Sequence, residues 1–234
     1  WRAALWCYAG IALSTLVAHA LIPGGRYTAE ANAQVRQPAP LARTAQAQRL
    51  AGALYALIAV VTNFLNSAMS AHMIGVLGGL GLAASAAVAI AALRGVGQSS
   101  ARLAELMFGA RLHPLVLNLG AIAVLPICFL LGLLSGQSIV FAIAFAFIYG
   151  AGNGLITITR GSLPLVLFDV RVYGSLVGRL LAPSFIVSAA APVLYASLIA
   201  HWGERAALWV SALLAAIALA AAWVLRARFC RAPD

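Results

Sequence analysis

Seven apolar runs order this sequence, at about 1–22, 50–76, 84–106, 115–134, 138–160, 174–200 and 207–225. A helix needs about 20 mainly apolar residues to cross the hydrocarbon layer of a bilayer. Each run is near that length or longer. Of the 234 residues, 64% are hydrophobic and 9% charged, whereas a soluble domain has about a quarter of its residues charged. No soluble fold of this size hides so much apolar surface; a bilayer makes the composition reasonable. The expectation is an all-α integral membrane protein with about seven transmembrane helices. One helix lies at 1–22, a cytoplasmic linker at 23–49, a six-helix bundle at 50–225 and a cytoplasmic tail at 226–234.

The stretch 23–49 is polar and rich in Pro, Gly and Gln, with Arg26, Arg36, Arg43 and Arg49. It has no apolar face to bury, so it reads as a flexible linker with a short helix near 41–48.

The formal net charge is +10, and every basic residue is Arg. The arginines fall mostly in short loops and alternate with uncharged or near-neutral turns. The linker, the loop at Arg111, the segment 161–173 and the tail with Arg226, Arg228 and Arg231 are basic. The turns at 78–82 and 135–137 carry no charge, and 201–205 is nearly neutral. The positive-inside rule then puts the basic segments in the cytoplasm, the start of the chain outside and its end inside. No basic patch is interleaved with aromatics, so nucleic acid is not an expected partner. Ala18-His19-Ala20 resembles a signal-peptide cleavage site, but the run at 1–22 is long enough to span and is taken as a transmembrane helix. Cys7, Cys128 and Cys230 show no metal-ligand or disulfide spacing. No metal or cofactor is expected.

Polar residues are spread unequally among the runs. Those at 1–22, 115–134 and 207–225 carry almost nothing polar at depth and are expected to face lipid. The other four carry amides, hydroxyls or charges near their middles. Such groups are costly in hydrocarbon and usually face a bundle interior or a wet cavity. Arg94 lies near the centre of its run, with Gln98 one turn on and Arg102 a further turn on. It is either a fixed charge for an anionic solute or a structural Arg bonded to other helices. Asn63, Asn66 and Asn153 are candidates to line a cavity with Arg94 and Gln98, or to bond neighbouring helices. His72 is a candidate proton carrier or an interhelical hydrogen-bond partner. Gly75/Gly79, Gly150/Gly154 and Gly174/Gly178 have the spacing that lets helix backbones approach. Gly150-Ala151-Gly152-Asn153-Gly154 lies inside an apolar helix, so it is not a nucleotide loop. No catalytic cluster is visible, and an enzyme is not expected. Arg2-Ala3-Ala4-Leu5-Trp6 recurs as Arg205-Ala206-Ala207-Leu208-Trp209, which suggests a duplicated unit.

The arrangement resembles the major facilitator superfamily, from its sixth helix to its twelfth. The opening Trp1-Arg2-Ala3-Ala4-Leu5 is similar to the outer end of the sixth helix in that family. Ser70-Ala71-His72, Gly95 to Arg102, Gly152-Asn153-Gly154 and Tyr173 to Arg179 are similar to strings in bacterial members. The loop Gly109-Ala110-Arg111 lacks the Asp of the family's loop motif. In that family every third helix is peripheral, which agrees with the three apolar runs. The resemblance implies a secondary transporter in a bacterial cytoplasmic membrane. It also implies an amino-terminal helical bundle outside this chain and a small solute bound between the halves; Arg94 points to an organic anion as that solute. The residues also leave a non-transporting membrane scaffold open.

Overall fold

The computed structural model describes residues 2–21, 39–109 and 112–230. Most of the expected linker, Ala110 and Arg111, and the tail from Arg231 on lie outside the described residues. The chain divides into two units, Trp1–Pro38 and Ala39–Asp234.

The first unit holds one helix, α1 (Arg2–Ala20), with an apolar stretch at Leu5–Leu16. The second unit holds α2 (Ala45–Gly79), α3 (Ala84–Phe108), α4 (Pro114–Leu133) and α5 (Ile139–Leu167). A short 3-10 turn at Val170–Val172 leads into the helix Tyr173–Phe229. That helix breaks at Gly203, whose φ of 78° and ψ of 173° suit glycine and strain any residue with a Cβ. The two segments are α6 (173–202) and α7 (204–229). They fold back on each other, since the Tyr195 and Ser211 hydroxyls meet at 3.0 Å. No strand occurs among the described residues.

Among the described residues four helices are long and apolar enough to cross a membrane: α2, α4, α5 and the broken α6–α7 helix. The protein is therefore an all-α membrane protein. At 1.5 Å per residue α3 is about 37 Å long, but Arg94, Gln98, Arg102 and Glu105 make it too polar for that group.

The helices run past the apolar stretches that mark them. The α2 helix starts at Ala45, where Thr44 caps it by accepting from the Ala47 amide at 3.1 Å. The end of the expected linker is thus the first turn of α2, and the short helix expected near 41–48 is not a separate element. The α5 helix continues to Leu167, although the loop was expected from 161. Pro164 inside it lacks the N–H that would bond the Arg160 carbonyl. The Tyr55 hydroxyl of α2 donates to that carbonyl instead, at 2.8 Å.

The helix ends of the second unit fall into two groups. The Leu41 and Ala42 amides bond the Val166 and Leu167 carbonyls, both at 3.0 Å, which puts residues 39–44 beside the end of α5. At the opposite end Gly136 lies against Leu80, and Gly79 against the Glu204 side chain. Arg43, Arg49, Arg171, Arg226 and Arg228 gather at the first end, and Glu204 and Arg205 lie at the second.

Packing divides the helices differently from the expectation. The α2 helix packs mainly on the α6–α7 helix, and α3 mainly on α5. The α4 helix packs on both α5 and α6–α7. It buries eight of its 20 residues, while α3 buries only Ala87, Ile90 and Gly97 of its 25. The run at 115–134, expected to face lipid, is wedged into the bundle, because an apolar surface packs as readily on helices as on acyl chains. The α7 helix is two-sided. Ala207, Ser211, Ala215, Ala218 and Ala222 form a small buried stripe, while Trp209, Leu213 and Trp223 are exposed.

Candidate functional site

The glycine pair of α5 builds the site. Gly150 receives the Arg94 backbone of α3, and a Cβ on Gly154 would come within 2.6 Å of the Gln98 carbonyl. Gly97 of α3 lies in return against Phe147 and Ala151. Small residues at this spacing let two backbones touch. The contact fixes where α3 presents Arg94. Gly75, Gly174 and Gly178 meet nothing within 4 Å and Gly79 meets only the Glu204 side chain, so neither of those expected pairs brings two helix backbones together.

Arg94 is half-buried and reaches across to α2. Its Nη2 donates to Asn66 Oδ1, with N···O 2.6 Å. Its guanidinium carbon lies 5.5 Å from the centre of the Tyr149 ring, a cation–π distance. Tyr149 is itself pinned, donating through its hydroxyl to the Leu65 carbonyl at 2.8 Å. Arg94 Nε is buried and has no hydrogen-bond partner. Among the described residues no carboxylate pairs with Arg94, and Arg102 and Glu105 do not pair with each other. The result is a planar cation with one amide acceptor, one aromatic face and unused donor capacity.

The other sequence candidates are placed at graded distances from this node. Asn66 is in it. Gln98 lies one turn along α3, half-buried, with no hydrogen bond from its side chain. Asn153 is buried and donates to the Tyr149 carbonyl of its own helix at 2.9 Å, so it touches the node only through Tyr149. Asn63 is buried and turned towards α6, donating to Ser184 Oγ at 2.8 Å. His72 is further along α2, its Nε2 2.8 Å from the Pro192 carbonyl and its ring 5.8 Å from that of Tyr195. The structure thus joins Asn66 and Arg94, keeps Gln98 and Asn153 adjacent, and directs Asn63 and His72 to the α2–α6 contact.

Sequence reasoning passed over Tyr149. An aromatic one residue before the glycine pair gives no signal until the depth of Arg94 is known. It also passed over Asn118, the one amide in α4, which is buried and accepts from the Thr159 hydroxyl at 3.1 Å. Asn118 Nδ2 and Arg160 Nε are buried without partners around a void of about 10 Å³, room for about one water. Among the described residues no group of three or more His, Cys, Asp or Glu is placed to hold a metal ion.

Fold and site together define a class, an all-α membrane protein with a one-sided polar helix carrying a buried-edge arginine. No protein-family model matches the chain, and no curated protein or solved structure matches it either.

Proposed function

We propose that this chain is the carboxyl-terminal portion of a secondary transporter of the major facilitator type. It would move a small solute by alternating access, with an organic anion as the first candidate. The observation that carries this reading is Arg94. An Arg at the centre of a membrane helix costs about 2.5–3.5 kcal/mol on insertion scales and is a functional residue by default. Here it keeps one amide and one ring as partners and leaves Nε unpaired. A planar guanidinium with free donors suits a carboxylate or phosphate, which it can bind through two parallel bonds.

The packing supports the same reading. The α3 helix is held mainly by α5, and its remaining surface, with Val88, Val96 and Leu103 exposed, is free for an amino-terminal bundle, with Arg94 at the edge of that surface. The segregation of arginines to one helix end supports a cytoplasmic placement of that end in a bacterial inner membrane. His72 is then a candidate carrier of the coupling proton.

The test is uptake into proteoliposomes by the full-length protein. Arg94→Ala abolishes transport of an anionic solute while leaving the protein inserted. Arg94→Lys restores part of it, because the charge returns without the planar fork. Normal anion uptake by the Ala variant would sink the anion reading.

A second reading is a non-transporting scaffold. It is favoured by the pairs Asn63–Ser184, Thr159–Asn118 and His72–Pro192, which satisfy deep polar groups within the bundle. It predicts no gradient-dependent flux for any ligand that binds.

A further inference from the structure

We infer that the groove between the start of α2 and the end of α7 binds an anionic phospholipid. The inference needs only that the helices lie in a membrane, not that the protein transports. The groove has a volume of about 340 Å³ and is lined by Thr44, Gln46, Ala47, Leu50, Arg228 and Phe229. It therefore has two chemistries. Arg228 is exposed and holds no ion pair, and Gln46 and Thr44 add amide and hydroxyl groups beside it. Thr44 occupies the Ala47 amide through its hydroxyl and the Gln48 amide through its carbonyl. The Ala45 and Gln46 amides, at the start of the same helix, have no intrahelical acceptor.

The opposite wall is apolar. Ala47, Leu50 and Phe229 lead from the charged rim along the two helices, and Leu50 is 40% exposed. A free phosphate would use the rim and waste the floor, and a neutral lipid would use the floor and leave Arg228 unpaired. A lipid with a net negative headgroup fits both. The depth is also right. Arg226 lies in the adjoining cleft with Trp223, Ala227 and Cys230. Trp223 is 61% exposed three residues before Arg226, about 4.5 Å deeper along the helix. A Trp just below arginines is the pattern of a side chain at headgroup level, where basic pockets take anionic lipids.

The test is native mass spectrometry of the full chain released from detergent, with added phosphatidylglycerol or phosphatidylcholine of the same acyl chains. The unmodified protein retains phosphatidylglycerol preferentially. Arg228→Gln lowers that preference about fivefold, and adding Arg226→Gln lowers it further, since each Arg near an anionic surface contributes about 1 kcal/mol. Arg171→Gln removes an exposed Arg at the same end but outside the groove, and leaves the preference unchanged. An equal loss in the Arg171 variant would mean diffuse charge attraction and overturn the site. Displacement of the lipid by millimolar inorganic phosphate would overturn it in favour of a soluble anion. Equal retention of the two lipids by the unmodified protein would overturn it outright.

Discussion

The helices α3 and α4 follow each other in the chain and are opposites. The α3 helix carries Arg94, Gln98, Arg102 and Glu105 and buries three residues; α4 is almost wholly apolar and buries eight. In a soluble protein the polar helix would be the surface helix for lack of anything to bury. The same order holds here, with α3 the more exposed of the two, although lipid would accept the apolar surface of α4 as well as a neighbouring helix does. The α3 helix keeps Arg94 and Gln98 half-buried at the edge of its contact with α5 and exposes Val88, Val96, Leu103 and Leu106, while α4 has no polar side to solvate and is free to fill the interior. The few polar groups α4 carries are turned inward, as Asn118 is towards Thr159.

That contrast can be broken at its strongest point, the glycine contact that docks α3. In Gly150→Leu the new Cβ would come within 2.9 Å of the Arg94 Cα and closer still to its carbonyl. The backbone has to move, and the variant loses about 3 kcal/mol or more, as overpacked interiors do. Thermal unfolding in detergent measures it. The α4 counterpart is Gly120, which meets nothing within 4 Å. Gly120→Ala leaves the transition unchanged or raises it by about 0.5 kcal/mol, the helix-propensity gain. Comparable losses in the two variants would show that the α3–α5 contact is not special.

A smaller effect comes from Asn66→Leu, which takes the amide acceptor from Arg94. It costs about 1–3 kcal/mol, the penalty for a charged donor left unpaired. The loss shows in thermal stability and shrinks when an anionic solute of the full protein is added. Smaller again is Asn118→Leu in α4. It removes one hydrogen bond and one unpartnered N–H together, and Thr159 keeps the Ile156 carbonyl as acceptor at 3.2 Å. The net change is within about 1 kcal/mol. A loss as large as that of Asn66→Leu would mean that the void beside Asn118 holds a water that this amide binds strongly.

Most of the architecture was legible because bilayer thickness imposes a length on every crossing. The runs at 84–106, 115–134 and 138–160 each became one helix, with ends displaced by a few residues except at Leu167. That end was not legible because the helix runs on past Arg160 and through Pro164, where the Tyr55 hydroxyl of α2 takes up the Arg160 carbonyl. The burial of α4 was not legible either, since an apolar run carries no mark that separates lipid from helix as its neighbour. For the site, Arg94 and Asn66 stood out in the sequence as polar residues in apolar runs but not as each other's partner. Contacts between helices depend on their rotation about their own axes, and one residue of rotation, about 100°, decides it. The pair Gly150/Gly154 was the exception. Its spacing alone marks a face, and the structure packs α3 on it.

The central claim is that the Arg94 and Gln98 side chains, half-buried at the edge of the α3–α5 contact, meet water while the exposed side of α4 is in lipid. It is tested most directly by thiol labelling in membranes. With Cys7, Cys128 and Cys230 replaced by Ala, single cysteines are placed at Gln98 on α3 and at Ile127 on α4, which is 57% exposed. A membrane-impermeant, negatively charged methanethiosulfonate is then added to both sides of the bilayer. The account predicts rapid modification at position 98, slowed by an anionic solute and by Arg94→Ala, and none at position 127. Equal protection of the two positions would contradict it.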